Sequence, residues 1–209
     1  MPKGYWIPHL DVHNPEGFQA YRNLAEPWHA RNGSRLLARA GRHEVVEGKM
    51  RSRNVLREFG SYDEALTAFR SGEYSAARPL RFPHSDCDFL IVEGYDGPQP
   101  ERIGTQPAPG ALKGYWIGQI DVTDAEGYKP YIAANQAPFG QFGARYLVRA
   151  GRHEVTEGQA RSRNVVLEFP SYEAALACYR SPGYQAAKAL RLGKAEVDLL
   201  VIEGFDGKH

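Results

Sequence analysis

The sequence predicts an α+β protein: two tandem ferredoxin-like units, each βαββαβ, pairing sheet to sheet into an intramolecular α+β barrel. Three observations predict it. Residues 3–97 align with residues 113–207 without a gap at an offset of 110, and 46 of the 95 aligned positions are identical. Within each repeat, apolar residues alternate with period two in some stretches and recur every three or four residues in two others, in the order β-α-β-β-α-β. A proline-rich stretch separates the repeats. A sheet covered by helices on one face leaves its other face to be buried, and two such sheets in one chain can bury those faces against each other. The domain boundaries that follow are 1–97 for the first repeat, 98–112 for the linker and 113–209 for the second repeat.

Residues 3–12 read as the first strand. Trp6, Leu10 and Val12 fall on one face, and Tyr5, Ile7, His9 and Asp11 on the other. Both faces carry large apolar groups, so the strand is expected to be covered on both sides. Asn14 is placed to cap a helix beginning at Pro15, with Phe18, Tyr21, Leu24 and Ala25 as its apolar stripe. Pro27 is expected to end or kink that helix. The second copy is less regular, with Pro130 and Pro138, and residues 18–34 are where the repeats diverge most.

Residues 35–40 and 43–47 read as short strands around a turn at Gly41, and residues 53–59 as a further strand with β-branched and aromatic character. Ser61 and Glu64 form a capping box ahead of a helix striped by Tyr62, Ala65, Leu66 and Phe69. Ser71 and Gly72 break it, a helical piece follows over 74–80, and the apolar run 88–93 is the last strand. Residues 98–111 contain four prolines and no periodicity, which predicts a stiff, extended tether.

Composition narrows the function classes. The chain is 42% hydrophobic and 24% charged, with 26 basic against 25 acidic residues. A net charge of +1 gives no electrostatic reason for a nucleic-acid or anionic-membrane partner. No apolar run approaches the roughly 18 residues of a spanning helix, and the start, MPKGYWIPHLDV, lacks the apolar core of a signal peptide. Cys87 and Cys178 are not repeat-equivalent, which argues against a disulfide framework or a cysteine metal site and for buried small hydrophobes in a reducing cytoplasm.

The stretches KGYWI, DVTDAEGYKPY, ARYLVRAG, VVLEFPSYEAALACYRSPGYQA and DLLVIEGFDG resemble the uncharacterised domain family DUF1330, of the dimeric α+β barrel superfamily. The resemblance covers both repeats, the second more cleanly, and leaves out the linker and the chain ends. It implies a ferredoxin-like unit that pairs sheet to sheet, here as a pseudo-dimer within one chain, with a homodimer left open. It implies no particular reaction, because relatives in the superfamily include monooxygenases, isomerases, lyases, haem enzymes and non-enzymatic binding domains.

The most repeated stretch, RAGRHEV…EG…RSRNV, spans 39–55 and 149–165 and differs at three positions: Val46/Thr156, Lys49/Gln159 and Met50/Ala160. Strand alternation places Arg35, Leu37 and Arg39 on one face, with Glu58 and Asn54 on a face of the neighbouring strand. These charges can pair as a lattice that fixes the sheets, or Arg39 can grip a carboxylate or enolate. His43, after the Gly41 turn, is a candidate base oriented by Glu44 or Glu47, or a solvated hairpin end.

The unshared residues are more informative. His9, His13, Trp28 and His29 stand where the second repeat has Gln119, Thr123, Pro138 and Phe139. A neutral histidine among tyrosines and a tryptophan suits proton transfer; alternatively His9 is a hydrogen-bonded core histidine and Trp28–His29 is surface. No Gly-rich phosphate loop, nucleophile elbow, CxxC or HExxH occurs. The sequence thus points to a cofactor-independent small-molecule enzyme of isomerase, lyase or cyclase type, acting on a carbonyl or carboxylate compound in a pocket of the first repeat. His9, His29, Arg39 and His43 form the expected catalytic set, and Tyr5, Tyr21, Trp28 and Glu58 the substrate-binding set, with neither metal nor cofactor. A non-catalytic binding or structural barrel and an oxygenase-like protein are the alternatives.

Overall fold

The computed structural model describes residues 1–103 and 110–207. The first repeat runs β1 (Gly4–Val12), α1 (Pro15–Arg31), β2 (Arg35–Arg39), β3 (His43–Glu47), β4 (Arg53–Phe59), α2 (Tyr62–Arg70), α3 (Gly72–Ala77), a 3-10 segment (Arg78–His84) and β5 (Ser85–Glu93). The second runs β6 (Gly114–Val122), α4 (Ala125–Ala134), α5 (Gln136–Gln141), β7 (Arg145–Arg149), β8 (His153–Glu157), β9 (Arg163–Phe169), α6 (Tyr172–Arg180), α7 (Pro182–Ala189) and β10 (Ala195–Glu203).

The strands form two five-stranded antiparallel sheets, ordered β2-β4-β1-β5-β8 and β3-β10-β6-β9-β7. Four strands of each sheet come from one repeat in ferredoxin-like order, and the fifth comes from the other repeat. β8 pairs with β5, and β3 with β10. Among the described strands no closed barrel is found. Each exchanged strand extends one edge of a sheet and stops there, so both sheets stay open. The compact units are accordingly Met1–Ala40 with Arg51–Tyr95 and Gly151–Ala160, and Gly41–Met50 with Asp96–Ala150 and Arg161–His209.

Each element follows from its residues. β1 is buried from Gly4 to Leu10. Gly4 lies so close to α2 that a Cβ would sit 2.2 Å from the Ser61 carbonyl oxygen, so no side chain fits there. The Gly17 N–H donates to Asn14 Oδ1 at 3.0 Å, the expected cap of α1. That helix does not end at Pro27 but continues to Arg31. Trp28, 5% exposed, is stacked on Trp6 and Tyr74 and holds the last turn against the sheet. In the second repeat the corresponding stretch divides into α4 and α5 at Asn135. The last strand of the first repeat starts at Ser85, three residues before the apolar run begins. The indole N–H of Trp6 donates to the Ala65 carbonyl at 2.9 Å, and that of Trp116 to Ala175 at 3.0 Å, so α2 and α6 cover the tryptophan face of their sheets.

The near-identical stretch is a frame. Arg51 bonds Asp88 at 2.6 Å and Asp11 at 3.0 Å, and Arg161 bonds Asp198 and Asp121 at the same distances. Ser52 and Ser162 each bond the same aspartates, Asp11 and Asp121. The proline-rich segment docks where it is described. Gln99 donates its side-chain amide to the Tyr146 carbonyl at 3.2 Å and accepts from its N–H at 2.7 Å, imitating a paired strand on the edge of β7. The rest of the expected tether, 104–109, lies outside the described residues. Among the described residues no helix is long and apolar enough to cross a membrane.

Candidate functional site

The second unit holds a cavity of about 60 Å³ between the tryptophan face of its sheet and helices α4, α5 and α7. One ordered water needs roughly 10–15 Å³ on this measure, so the space suits a compound of a few heavy atoms. Register builds its floor. Trp116, Gly118 and Ile120 of β6 stand opposite Leu167, Val165 and Arg163 of β9, and Gly118 and Ile120 stand opposite Leu199 and Val197 of β10. All eight line the cavity.

Its polar wall comes from three places. Tyr128, Tyr131 and Asn135 descend from the first helical stretch, Tyr184 comes from α7 and Arg191 follows it. Tyr146 and Arg149 come from β7. Those two positions have opposite parity, and a simple strand would send them to opposite faces. A bulge between Tyr146 and Val148 breaks the alternation, so Tyr146 pairs with Leu167 and Arg149 with Val165, both on the cavity face. The same irregularity between Leu36 and Ala38 corrects the expectation that Arg35 and Arg39 share a face. Arg35 lies opposite Glu58 and bonds it at 3.2 Å, whereas Arg39 lies opposite Val55 and bonds Glu26 of α1 at 3.4 Å.

The cavity is rich in donors and positive charge. Among the described residues three arginines line it and no Asp, Glu or His does. The Tyr131 and Tyr184 hydroxyls lie 3.2 Å apart, so one donates to the other and leaves the second proton for another acceptor. Burial raises the pKa values of Tyr128, Tyr146 and Tyr184 above the ordinary phenol value, Tyr184 the furthest. These tyrosines therefore stay protonated and act as donors, not bases. Arg191, 4% exposed, meets Glu47 of the exchanged strand β3 at 2.5 Å. Burial opposes the arginine's charge, and the Tyr184 and Tyr131 oxygens and Glu47 outweigh it, so its pKa is raised. Among the described residues no carboxylate stands within ion-pair distance of Arg163.

The residues expected from sequence do not gather in one place. His9, Tyr5 and Glu58 share the sheet face opposite the helices. His9 is 2% exposed and its Nδ1 lies 2.5 Å from Asn54 Oδ1. Asn54 Nδ2 donates to the Arg51 carbonyl, so its oxygen faces His9 and Nδ1 carries the proton. Tyr5 donates to Glu58 at 3.0 Å. Trp28, His29, Tyr21 and Arg39 stand on the helix side. The sheet therefore separates His9 from His29. His43 is exposed on β3, in the second unit, with its ring nitrogen 2.9 Å from the Gly41 carbonyl. His29 rests against Trp6 and Trp28, and burial, aided by Arg57 and Arg39, pushes its pKa down to about 3.

In the first unit Trp28, Arg57 and Phe89 stand at the positions that Pro138, Leu167 and Leu199 hold in the second. Both units nevertheless keep a common core of site residues. Tyr21 and Tyr74 hydroxyls lie 3.3 Å apart, and Arg81 meets Glu157 at 2.6 Å. Tyr74, Arg81 and Glu157 and their equivalents were not among the residues expected from sequence, although each recurs in both repeats.

The sequence matches the domain of unknown function DUF1330 over residues 3–95 and again over residues 113–205. The chain belongs to the DUF1330 family. No curated protein matches it. This two-repeat DUF1330 chain has structural relatives that share its fold at low identity. A candidate chlorite dismutase superposes with a TM-score of 0.56 at 8% identity, over 99% of this chain and 96% of the other. An anthrone oxidase-like protein gives 0.52 at 10% identity, over 98% and 92%. A candidate monooxygenase from Fusobacterium nucleatum subsp. nucleatum also gives 0.52 at 10% identity, over 100% and 98%. These likenesses establish the ferredoxin-like α+β fold of the DUF1330 repeats and nothing of their chemistry.

Proposed function

We propose that the chain binds a small organic anion, a carboxylate or a compound that forms an enolate, in the cavity of the second unit, and stabilises negative charge on its oxygen without a cofactor. One observation carries this reading: Arg149, Arg163 and Arg191 line a cavity with four tyrosines and Asn135, and no carboxylate or imidazole lines it. Arg163 supplies an uncommitted positive charge. The Tyr131–Tyr184 pair, Tyr146 and Asn135 supply neutral donors. Donors fixed before reaction at the place where charge develops are the largest common source of enzymatic stabilisation. The apolar floor excludes water and strengthens each of these contacts. The two free cysteines fit a reducing, cytoplasmic setting.

A second reading, ligand binding without turnover, is favoured by the missing base. Both readings are tested with pyruvate and acetoacetate as probes, by calorimetry and by proton NMR in D2O. Arg163→Leu is expected to weaken binding about 10- to 100-fold, the scale of one hydrogen bond to a charged group. Binding that survives this change intact would overturn the site. Exchange of the protons next to the carbonyl, slowed 100-fold or more by Tyr131→Phe, supports enolate stabilisation, as loss of one oxyanion donor typically costs about 10²–10³ in rate. Binding with no exchange supports the second reading.

A further inference from the structure

We propose that the first unit holds a second, smaller anion site, in which Arg57 and His29 take a carboxylate of formate size. Arg57 is 8% exposed, and its one hydrogen bond among the described residues goes to a neutral partner, Ser34 Oγ, at 2.8 Å. Ser34 Oγ in turn donates to Asn32 Oδ1 at 2.5 Å, so the guanidinium is oriented by an uncharged chain. No carboxylate stands within ion-pair distance of Arg57 among the described residues. Arg39 lies on the same face of the sheet and acts on both Arg57 and His29 with like charge. Arg39 itself pairs with Glu26 of α1 at 3.4 Å.

A buried guanidinium without a counter-ion is costly, and the fold does not require one here, because Leu167 fills the equivalent position of the second unit. Two further buried donors or acceptors have no hydrogen-bond partner among the described residues: His29 Nδ1, and NH1 of Arg81, a residue 1% exposed. Arg57 stands opposite Trp6 of β1, whose ring lies 5.8 Å from that of His29, and the Arg81 guanidinium lies 5.6 Å over the Tyr21 ring. Among the described residues the unit thus places one guanidinium without a carboxylate, Arg57, on the same side of its sheet as His29 Nδ1. Trp28 limits what can answer them. Its ring packs against both Trp6 and Tyr74, with centroids at 5.9 and 5.0 Å, where the second unit has Pro138, so the occupant is taken as a small planar anion and not as the compound proposed for the second unit. Bidentate geometry suits a carboxylate to the guanidinium fork.

The test is thermal unfolding of the full chain carrying Arg163→Leu, which weakens binding in the second unit, in sodium formate against sodium chloride at equal ionic strength. Formate at tenfold excess over its Kd is expected to raise Tm by about 3 °C more than chloride. Adding Arg57→Leu should abolish that difference and raise Tm in its absence. If that variant fails to fold, Arg57→Lys keeps the charge and loses the fork, and a roughly tenfold weaker formate response is expected, one such step being about 1.4 kcal/mol. A formate response equal to that of chloride, or one unchanged by either substitution at Arg57, overturns the proposal.

Discussion

Positions 28 and 138 hold Trp28 and Pro138, and positions 29 and 139 hold His29 and Phe139. Neighbouring residues in the first unit turn an aromatic slot into a filled one with a polar edge. His29 has its ring against Trp6 at 5.8 Å and Trp28 at 4.8 Å. Its pKa is depressed to about 3 from an ordinary 6.5, burial first and the charges of Arg57 and Arg39 after it. Between those values the unfolded chain binds a proton at His29 and the folded chain does not, so stability falls as pH falls through this window. The slope is up to about 1.4 kcal/mol per pH unit. His29→Phe, the residue of the other repeat, should therefore gain about 2 kcal/mol over the native chain on going from pH 6.5 to pH 5. Urea midpoints at both pH values measure it; a difference between the two proteins that does not change with pH would show that His29 is not held neutral. The asymmetry at 28–29 was legible in the sequence as a place to look. That His9 would stand on the other face was legible too, because position 9 is odd and Trp6 is even, and α1 can meet only one face of β1.

Strand alternation decides what a strand presents, and one extra residue undoes it. The bulges at Leu37 and Leu147 let positions 146 and 149 share a face, which is how Arg149 reaches the cavity. Nothing in RLLAR or RYLVR announces this, as neither contains a glycine or a proline, so Arg39 and Arg35 read as neighbours when they are not. The turns after β3 and β8 were legible as Glu-Gly. Their geometry supplies the reason: Gly158 has φ +62°, and a Cβ on it would lie 2.1 Å from Asp88 Oδ1. The Gln159 N–H donates to that same oxygen at 2.9 Å, and Arg51 holds the other. Gly158→Ala thus adds left-handed strain and displaces Asp88 from Arg51, and should cost about 2–4 kcal/mol. Gly110→Ala, also at positive φ (+80°) but with nothing within 4 Å, should cost about 1 kcal/mol. Equal losses at the two glycines, read from denaturant unfolding, would show that the contact with Asp88 carries no weight.

At the scale of the whole chain, the repeat itself was plain, while the exchange of strands was not. Periodicity identifies β3 and β8 as strands but cannot say which sheet accepts them, because HEVVE and HEVTE are nearly the same and either could pair with β5 or β10. The exchange matters for the site, since Glu47, from the first repeat, neutralises Arg191 in the wall of the second unit's cavity. A second repeat on its own lacks β3, which leaves β10 with an open edge and Arg191 with no carboxylate. It carries β8, however, with Glu157 at the position of Glu47. Residues 111–209 expressed alone should therefore form a homodimer in which each copy lends β8 to the other, with Glu157 meeting Arg191. Sedimentation should give twice the mass of one repeat. Removing one partner of a buried ion pair costs about 3–5 kcal/mol, so Glu157→Ala in that fragment should weaken the dimer at least 100-fold. A fragment that sediments as a stable folded monomer would mean that the exchanged strand contributes little to the unit it completes.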